Sequence, residues 1–302
     1  MDRGMLRSKY SSIRRPVVGR AFTGGKPVTV GTAEQVAPEI EVPAEARNFS
    51  VKDRVVIVTG AGQGIGRELA RQFAAAGAIP VIADLGLENA QSVAKEIKAS
   101  GGKALPLVVD VAKKDSVDEM VAATLAEFGR VDVLINNASL FSNLAKRPFD
   151  QIPQGEWQRV MDVNINGVFF CASAVVGSMR KNRFGRIINI SSDSVHRGTK
   201  NYLHYVTSKS ALIGMTNSLA RELGAEGITV NCIRPGTVAT EVAERAASLT
   251  PEVRQRNIDL QCIPRTIVPS DLAGLTMFLS TPAASFITGQ TIACDGGYTH
   301  SF

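Results

Sequence analysis

The chain has 302 residues, 44% of them hydrophobic, with a formal net charge of +6. That length supports one large core, and no uninterrupted apolar run approaches the roughly 18 residues that span a bilayer. Residues 1–33 hold seven basic residues against Asp2 alone, which leaves 27 charges of each sign elsewhere, so the body of the chain is neutral and no nucleic-acid partner is expected.

Residues 1–50 lack apolar periodicity and are rich in Gly, Pro, Arg and Ser. They are expected to form an irregular N-terminal extension, flexible or packed on a neighbour, outside a single domain over 51–302. From Lys52 onward short apolar runs alternate with helical periods. A strand at 55–58 and a helix at 67–76 flank Thr59-Gly60-Ala61-Gly62-Gln63-Gly64-Ile65-Gly66. Glycines there let backbone approach a pyrophosphate at a helix N-terminus. The spacing is TGxxxGxG and not GxGxxG. A second strand at 79–83 is followed at once by Asp84, placed to hydrogen-bond the ribose hydroxyls of NAD and to repel a 2′-phosphate.

A helix at 87–99, a strand at 105–109, a helix near 114–128 and a strand at 131–135 follow. Next come a long helix over about 155–181, a strand at 186–190, a helix carrying Tyr205 on to Leu223 and a strand at 229–233. A looser region covers 237–268 before a helix at 270–280 and a last strand near 291–293. Continuous apolar strands joined by helices predict an α/β fold with a doubly wound, Rossmann-like parallel sheet. Cys171, Cys232, Cys262 and Cys294 show no metal or CxxC spacing, which points to thiols in a reducing, cytoplasmic setting.

Tyr205 and Lys209 are four apart, hence on one helical face. An ammonium beside a phenol is expected to pull its pKa below the usual value of about 10 and fit it for acid/base work on an alcohol or ketone. Ser192 lies thirteen positions before Tyr205 at a strand end, where open α/β sheets bind ligands.

Together these features resemble the short-chain dehydrogenase/reductase family from about Lys52 to the C-terminus. Asp110-Val111, Asn136-Asn137-Ala138, Asn164 and the turn from Arg234 to Thr240 match its pattern as well, whereas Ser139 stands where the family usually has Gly. The resemblance implies a catalytic tetrad of Asn164, Ser192, Tyr205 and Lys209. It also implies an NAD site drawing on Gly60, Gln63, Gly64, Ile65, Gly66, Asp84, Asp110, Val111, Asn137, Ala138, Tyr205, Lys209, Pro235, Val238 and Thr240. On that pattern Ser192 holds the substrate oxygen, Tyr205 takes its proton, Lys209 tunes Tyr205, and Asn164 holds a relay water.

No metal site is expected, because His196, His204 and His300 have no Cys/His cluster around them. The expected substrate is a small alcohol or ketone, apolar or aromatic. The pocket is expected to be lined by Leu140, Phe141 and Leu144 and by a lid carrying Val238, Val242, Ala246, Leu249, Ile258, Leu260 and Ile263. An NADPH-dependent 3-oxoacyl-carrier-protein-type reductase and a catalytically silent nucleotide-binding scaffold are the alternatives. The family pattern further implies a homotetramer; no membrane partner is expected.

Overall fold

Alternate residues of the central strand feed opposite hydrophobic layers, and this organises the molecule. The structure, a computed structural model, describes residues 47–142, 144–245 and 250–300. In β1 (Val55–Thr59), Val55 and Ile57 face one side and Val56 and Val58 the other, and all four are buried. Side chains on a strand alternate faces, so a run apolar at every position must be covered twice. Each such Val or Ile stabilises the fold by about 1.5–3 kcal/mol.

One layer consists of α1 (Gly64–Ala75), α2 (Leu87–Ala99) and α10 (Ser270–Ser280); the other contains α3 (Lys114–Phe128), α5 (Gly167–Asn182) and α7 (Leu203–Leu223). Between them lie seven parallel strands in the order β3-β2-β1-β4-β5-β6-β7. The remaining six are β2 (Ile79–Asp84), β3 (Leu105–Val108), β4 (Val133–Asn136), β5 (Gly185–Ile190), β6 (Ile228–Pro235) and β7 (Thr291–Cys294). Strand order reverses between β1 and β4, so their carboxyl ends open a crevice.

Several expected boundaries shift. Helix α1 opens at Gly64, not Arg67, which puts the last glycines of the turn inside its first turn. Strand β4 starts later, at Val133, because the preceding backbone is held elsewhere: the Val131 amide donates to Ser178 Oγ at 3.0 Å. The long helix at 155–181 is two helices, α4 (Gln154–Met161) and α5, joined by a π-helical turn at Asp162–Asn166. The looser region contains α8 (Glu241–Arg245) and α9 (Pro251–Leu260), and a short α6 (Ser194–Arg197) follows β5.

By length and composition the stretch Gln154–Asn182 contains an 18-residue window apolar enough to cross a membrane, its mean hydropathy 1.5, contrary to the sequence expectation. In this fold α5 packs on α3, β4 and β5.

The folded domain is anchored from its first described residues. Asn48 accepts from the Ala283 amide at 2.9 Å, Phe49 stacks on Phe278 at 6.2 Å, and Val51 joins the core. The expected extension over 1–50 lies outside the described residues as far as 46.

Candidate active site

The ends of β1 and β4 are tied together by one threonine. Thr59 Oγ1 accepts from the amides of Asn137 (3.1 Å) and Ala138 (3.0 Å), and Asn137 Nδ2 donates to the carbonyls of Thr59 (2.9 Å) and Gly60 (3.1 Å). The floor is backbone, and it is tight: a Cβ on Gly60 would lie 2.9 Å from Ala138 Cα. At the end of β2, Asp84 accepts from the amides of Gly62 (2.8 Å) and Gly86 (3.0 Å). Its carboxylate therefore stands beside the glycine turn, held by two fixed donors.

The N-terminus of α1 already holds an anion. Glu241, at the start of α8, accepts from the Gly64 amide at 2.8 Å, and Arg245 on the same helix donates to Gln63 Oε1. Burial alone would raise the Glu241 pKa, but the Gly64 amide, its own amide and the nearby Arg67 and Arg245 outweigh it and hold the carboxyl below its usual range. A helix N-terminus attracts negative charge, and here a side chain supplies it. Thr240 Oγ1 accepts from the Ala243 amide at 3.0 Å. Ile65 packs against the core, and Val238 is buried and bridges to Ile267. Asp110 caps its own turn through the Ala112 amide at 3.1 Å, and Val111 lies where a side chain on Gly167 would fall. Pro235 closes β6, its carbonyl accepting from the Asp193 amide at 2.9 Å.

The four expected catalytic residues converge beyond β5. Tyr205 and Lys209 share one face of α7, both buried, and the Ser192 hydroxyl favours the charged form of the Tyr205 phenol. The Ser194 amide donates to Ser192 Oγ at 3.1 Å, and Ser192 Oγ itself donates to Asp193 Oδ1 at a long 3.5 Å. The ring of Tyr205 meets Tyr202 at 4.9 Å and Phe141 at 5.5 Å, and Tyr202 Oη donates to the Phe141 carbonyl at 2.8 Å.

Two expectations about these residues are overturned. Lys209 Nζ lies 5.8 Å from the Tyr205 ring centroid and donates instead to the Ile190 carbonyl at 2.8 Å. Burial pushes the Tyr205 phenol up rather than down; the hydrogen bond from Ser192 and the charge of Arg197 only partly offset it. The same burial lowers Lys209 to about 8. Spacing on a helix sets proximity, but depth sets which protonation state is favoured.

Asn164 sits in the π-helical turn, where its side chain is fully engaged. Oδ1 accepts from the Leu140 amide at 2.8 Å, while Nδ2 donates to Ser208 Oγ at 3.0 Å and to the Leu140 carbonyl at 3.3 Å. The amide clamps a loop and is not turned toward Lys209. Of the expected lid residues, Ala246 and Leu249 lie outside the described residues, and Leu260 and Ile263 are exposed.

Residues 60–299 match a family profile described as enoyl-(acyl carrier protein) reductase. The chain belongs to the short-chain dehydrogenase/reductase family. One relative of this family is a (2S)-[(R)-hydroxy(phenyl)methyl]succinyl-CoA dehydrogenase subunit of Thauera aromatica, 36% identical over 82% of this chain and 98% of its own length. Another is a 3-oxoacyl-[acyl-carrier-protein] reductase of a Synechocystis species, 39% identical over 81% and 96%. Among solved short-chain dehydrogenases, a 7α-hydroxysteroid dehydrogenase complexed with NADH and 7-oxo glycochenodeoxycholic acid superposes with a TM-score of 0.78. It is 32% identical and covers 83% of this chain and 96% of that one.

Glu241, Asp193 and Arg197 were not expected at this short-chain dehydrogenase site. Only the last two left a local signal, an acid–base pair four apart directly after Ser192.

Proposed function

We propose that this oxidoreductase moves a hydride between NAD and an apolar or aromatic secondary alcohol, or the matching ketone. The observation that carries this reading is that Ser192, just beyond β5, and the buried Tyr205 of α7 act on one another beside the rings of Phe141 (5.5 Å) and Tyr202 (4.9 Å). A substrate oxygen placed there meets two hydroxyls, while its carbon substituents meet aromatic rings. When bound, the nicotinamide supplies the hydride acceptor or donor. Ser192 orients the substrate oxygen, Tyr205 takes or returns its proton, and Lys209 lies buried on the same face of α7, held by the Ile190 carbonyl. Asn164 acts by holding the Leu140–Phe141 loop.

The glycine turn, the α1 N-terminus with its stand-in carboxylate, and Asp84 fit a dinucleotide. With Asp84 at the end of β2, a 2′-phosphate would meet like charge, which supports NAD. The second reading, an NADPH-dependent 3-oxoacyl-thioester reductase, is favoured by Arg245, a cation reaching Gln63 at the glycine turn, and by the Synechocystis relative.

Comparing kcat/KM for NAD and NADP decides the cofactor; a tenfold preference for NADP(H) would overturn the Asp84 argument. A panel of phenyl ketones, cyclic alcohols, polyols and acetoacetyl thioesters decides the substrate. A win by a polyol or thioester of tenfold, about 1.4 kcal/mol in transition-state binding, would overturn the aromatic reading. No turnover with any of them, NAD being bound, would favour a silent scaffold.

Four free cysteines, Cys171 and Cys232 among them buried, are consistent with a reducing cytoplasm. Exposed Phe169 and Phe286 suit faces covered in a homotetramer, which sedimentation tests. The domain is taken to begin near residue 51 and the extension to be dispensable for chemistry. A truncation starting at Arg47 keeps the Asn48 and Phe49 contacts and should leave turnover within a few-fold.

A further inference from the structure

Directly beside Ser192 the chain carries an ion pair between a buried aspartate and an exposed arginine that the reaction as described does not use. Asp193 is 3% exposed, and its amide is tied to the Pro235 carbonyl. Arg197, one helical turn on, donates to Asp193 Oδ1 at 2.9 Å while its guanidinium lies 5.1 Å from the Tyr298 ring centroid. The Tyr298 segment is itself fixed by Asp295, which accepts from the amides of Gly297 (3.0 Å), Tyr298 (3.2 Å) and Thr299 (2.9 Å). The guanidinium thus bridges the strand-end loop and the C-terminal segment.

What matters is which oxygen it holds. Asp193 Oδ1 also accepts from Ser192 Oγ, at a long 3.5 Å. Ser192 has one proton to give, and an ionised carboxylate is a stronger acceptor than a phenol. Unpaired, Asp193 would draw that proton away from Tyr205 and substrate; with Oδ1 occupied, the serine contact stays long.

We propose that Arg197 and Asp193 are positioning residues: Arg197 shares the carboxylate oxygen that accepts from Ser192, which keeps that contact long and leaves the serine proton available to Tyr205 and the substrate, and the pair presents opposed charges to the phenol. The proposal rests on the catalytic reading of Ser192 and Tyr205. The opposed influence is visible at Tyr205, where Asp193 raises and Arg197 lowers the phenol pKa, both after burial and the Ser192 hydrogen bond. Other titratable groups around this corner are Lys209 and Tyr202 on α7, His196 on α6, Glu156 on α4, Lys146 and Arg147 in the loop after β4, and Asp295 beyond β7. Each is unchanged in the variants below.

The test is the pH profile of alcohol oxidation with NAD, using the best alcohol of the panel above. Oxidation needs Tyr205 as a base, so the rate rises with pH through its ionisation. Removing the cation disfavours phenolate: Arg197→Gln should move the acidic limb to higher pH and lower kcat at neutral pH by about tenfold. Removing the anion favours phenolate: Asp193→Asn should move the limb to lower pH. Arg197→Lys, which keeps the charge, and the double variant Asp193→Asn/Arg197→Gln should both lie near wild type.

A clamp that serves folding alone would lower melting temperature and rate in both single variants without moving either limb, and that result overturns the proposal. Limbs moving in the same direction overturn it too. Tyr205→Phe is the control. If it turned over like wild type, the catalytic reading would fall and the proposal with it; if it is inactive and the limbs do not move, only the proposal falls.

Discussion

Glu241 and Gly64 are 177 positions apart, yet the Glu241 carboxylate receives the first free amide of α1 at 2.8 Å. A dinucleotide diphosphate and this side chain would compete for the same donors. Charges at a helix N-terminus are worth about 0.3–1 kcal/mol, so Glu241→Gln should tighten NAD and ADP-ribose binding by about two- to fivefold, read by calorimetric titration of the cofactor-free protein. Weaker binding in the variant would show that Glu241 helps to hold the nucleotide.

Burial at Lys209 leads to a prediction about stability. Its pKa falls from 10.5 to about 8, so below pH 8 the charged form is present in both states and the cost to folding is fully felt. Between pH 8 and 10.5 the folded state sheds the proton first, and stability should rise with pH. At pH 7 the cost is about 3 kcal/mol, against about 1–3 kcal/mol for leaving the Ile190 carbonyl without a partner. The cofactor-free Lys209→Met protein should therefore melt at or above the wild-type temperature while losing turnover. A large drop in melting temperature would refute the penalty.

The same residues show what was legible in the sequence. The strands, the glycine turn and the Tyr205–Lys209 spacing are local patterns, and local patterns survive into the fold. The direction of the Tyr205 shift was missed because spacing carries no information about depth. The π-helical turn at Asp162–Asn166 was missed because Val163-Asn164-Ile165-Asn166 is compatible with an unbroken helix; the partners of the widened turn, the Leu140 loop and Ser208, are distant in sequence. Glu241 at α1 had no local signal at all.

Gly66 should tolerate no side chain. A Cβ there would lie 2.3 Å from the Gly60 carbonyl oxygen and 2.6 Å from Asn137 Nδ2, whereas one on Gly274 in α10 would meet nothing within 4 Å. Gly66→Ala should lower the melting temperature and abolish nucleotide binding. Gly274→Ala should stabilise by about 0.5–1 kcal/mol through helix propensity alone. Equal effects in a thermal melt would mean that the turn is looser than these distances.

Asn164 separates a clamp from a proton relay. Its amide joins the Leu140 backbone to Ser208, whose hydroxyl donates to the Tyr205 carbonyl at 2.8 Å, so one side chain links the aromatic loop to the helix bearing the phenol. Asn164→Ala leaves buried partners unsatisfied at about 1–3 kcal/mol, which should loosen Phe141 from Tyr205 and raise the substrate KM about tenfold or more. Asn164→Asp is the sharper probe. It preserves shape and the acceptor for the Leu140 amide, but it loses the donor facing the Leu140 carbonyl and Ser208. A clamp that depends on that donor predicts Asp to be as damaging as Ala, with nucleotide affinity little changed in both. If Asn164→Asp kept wild-type KM and only kcat fell, the side chain would be acting on proton movement and the clamp would be the wrong description.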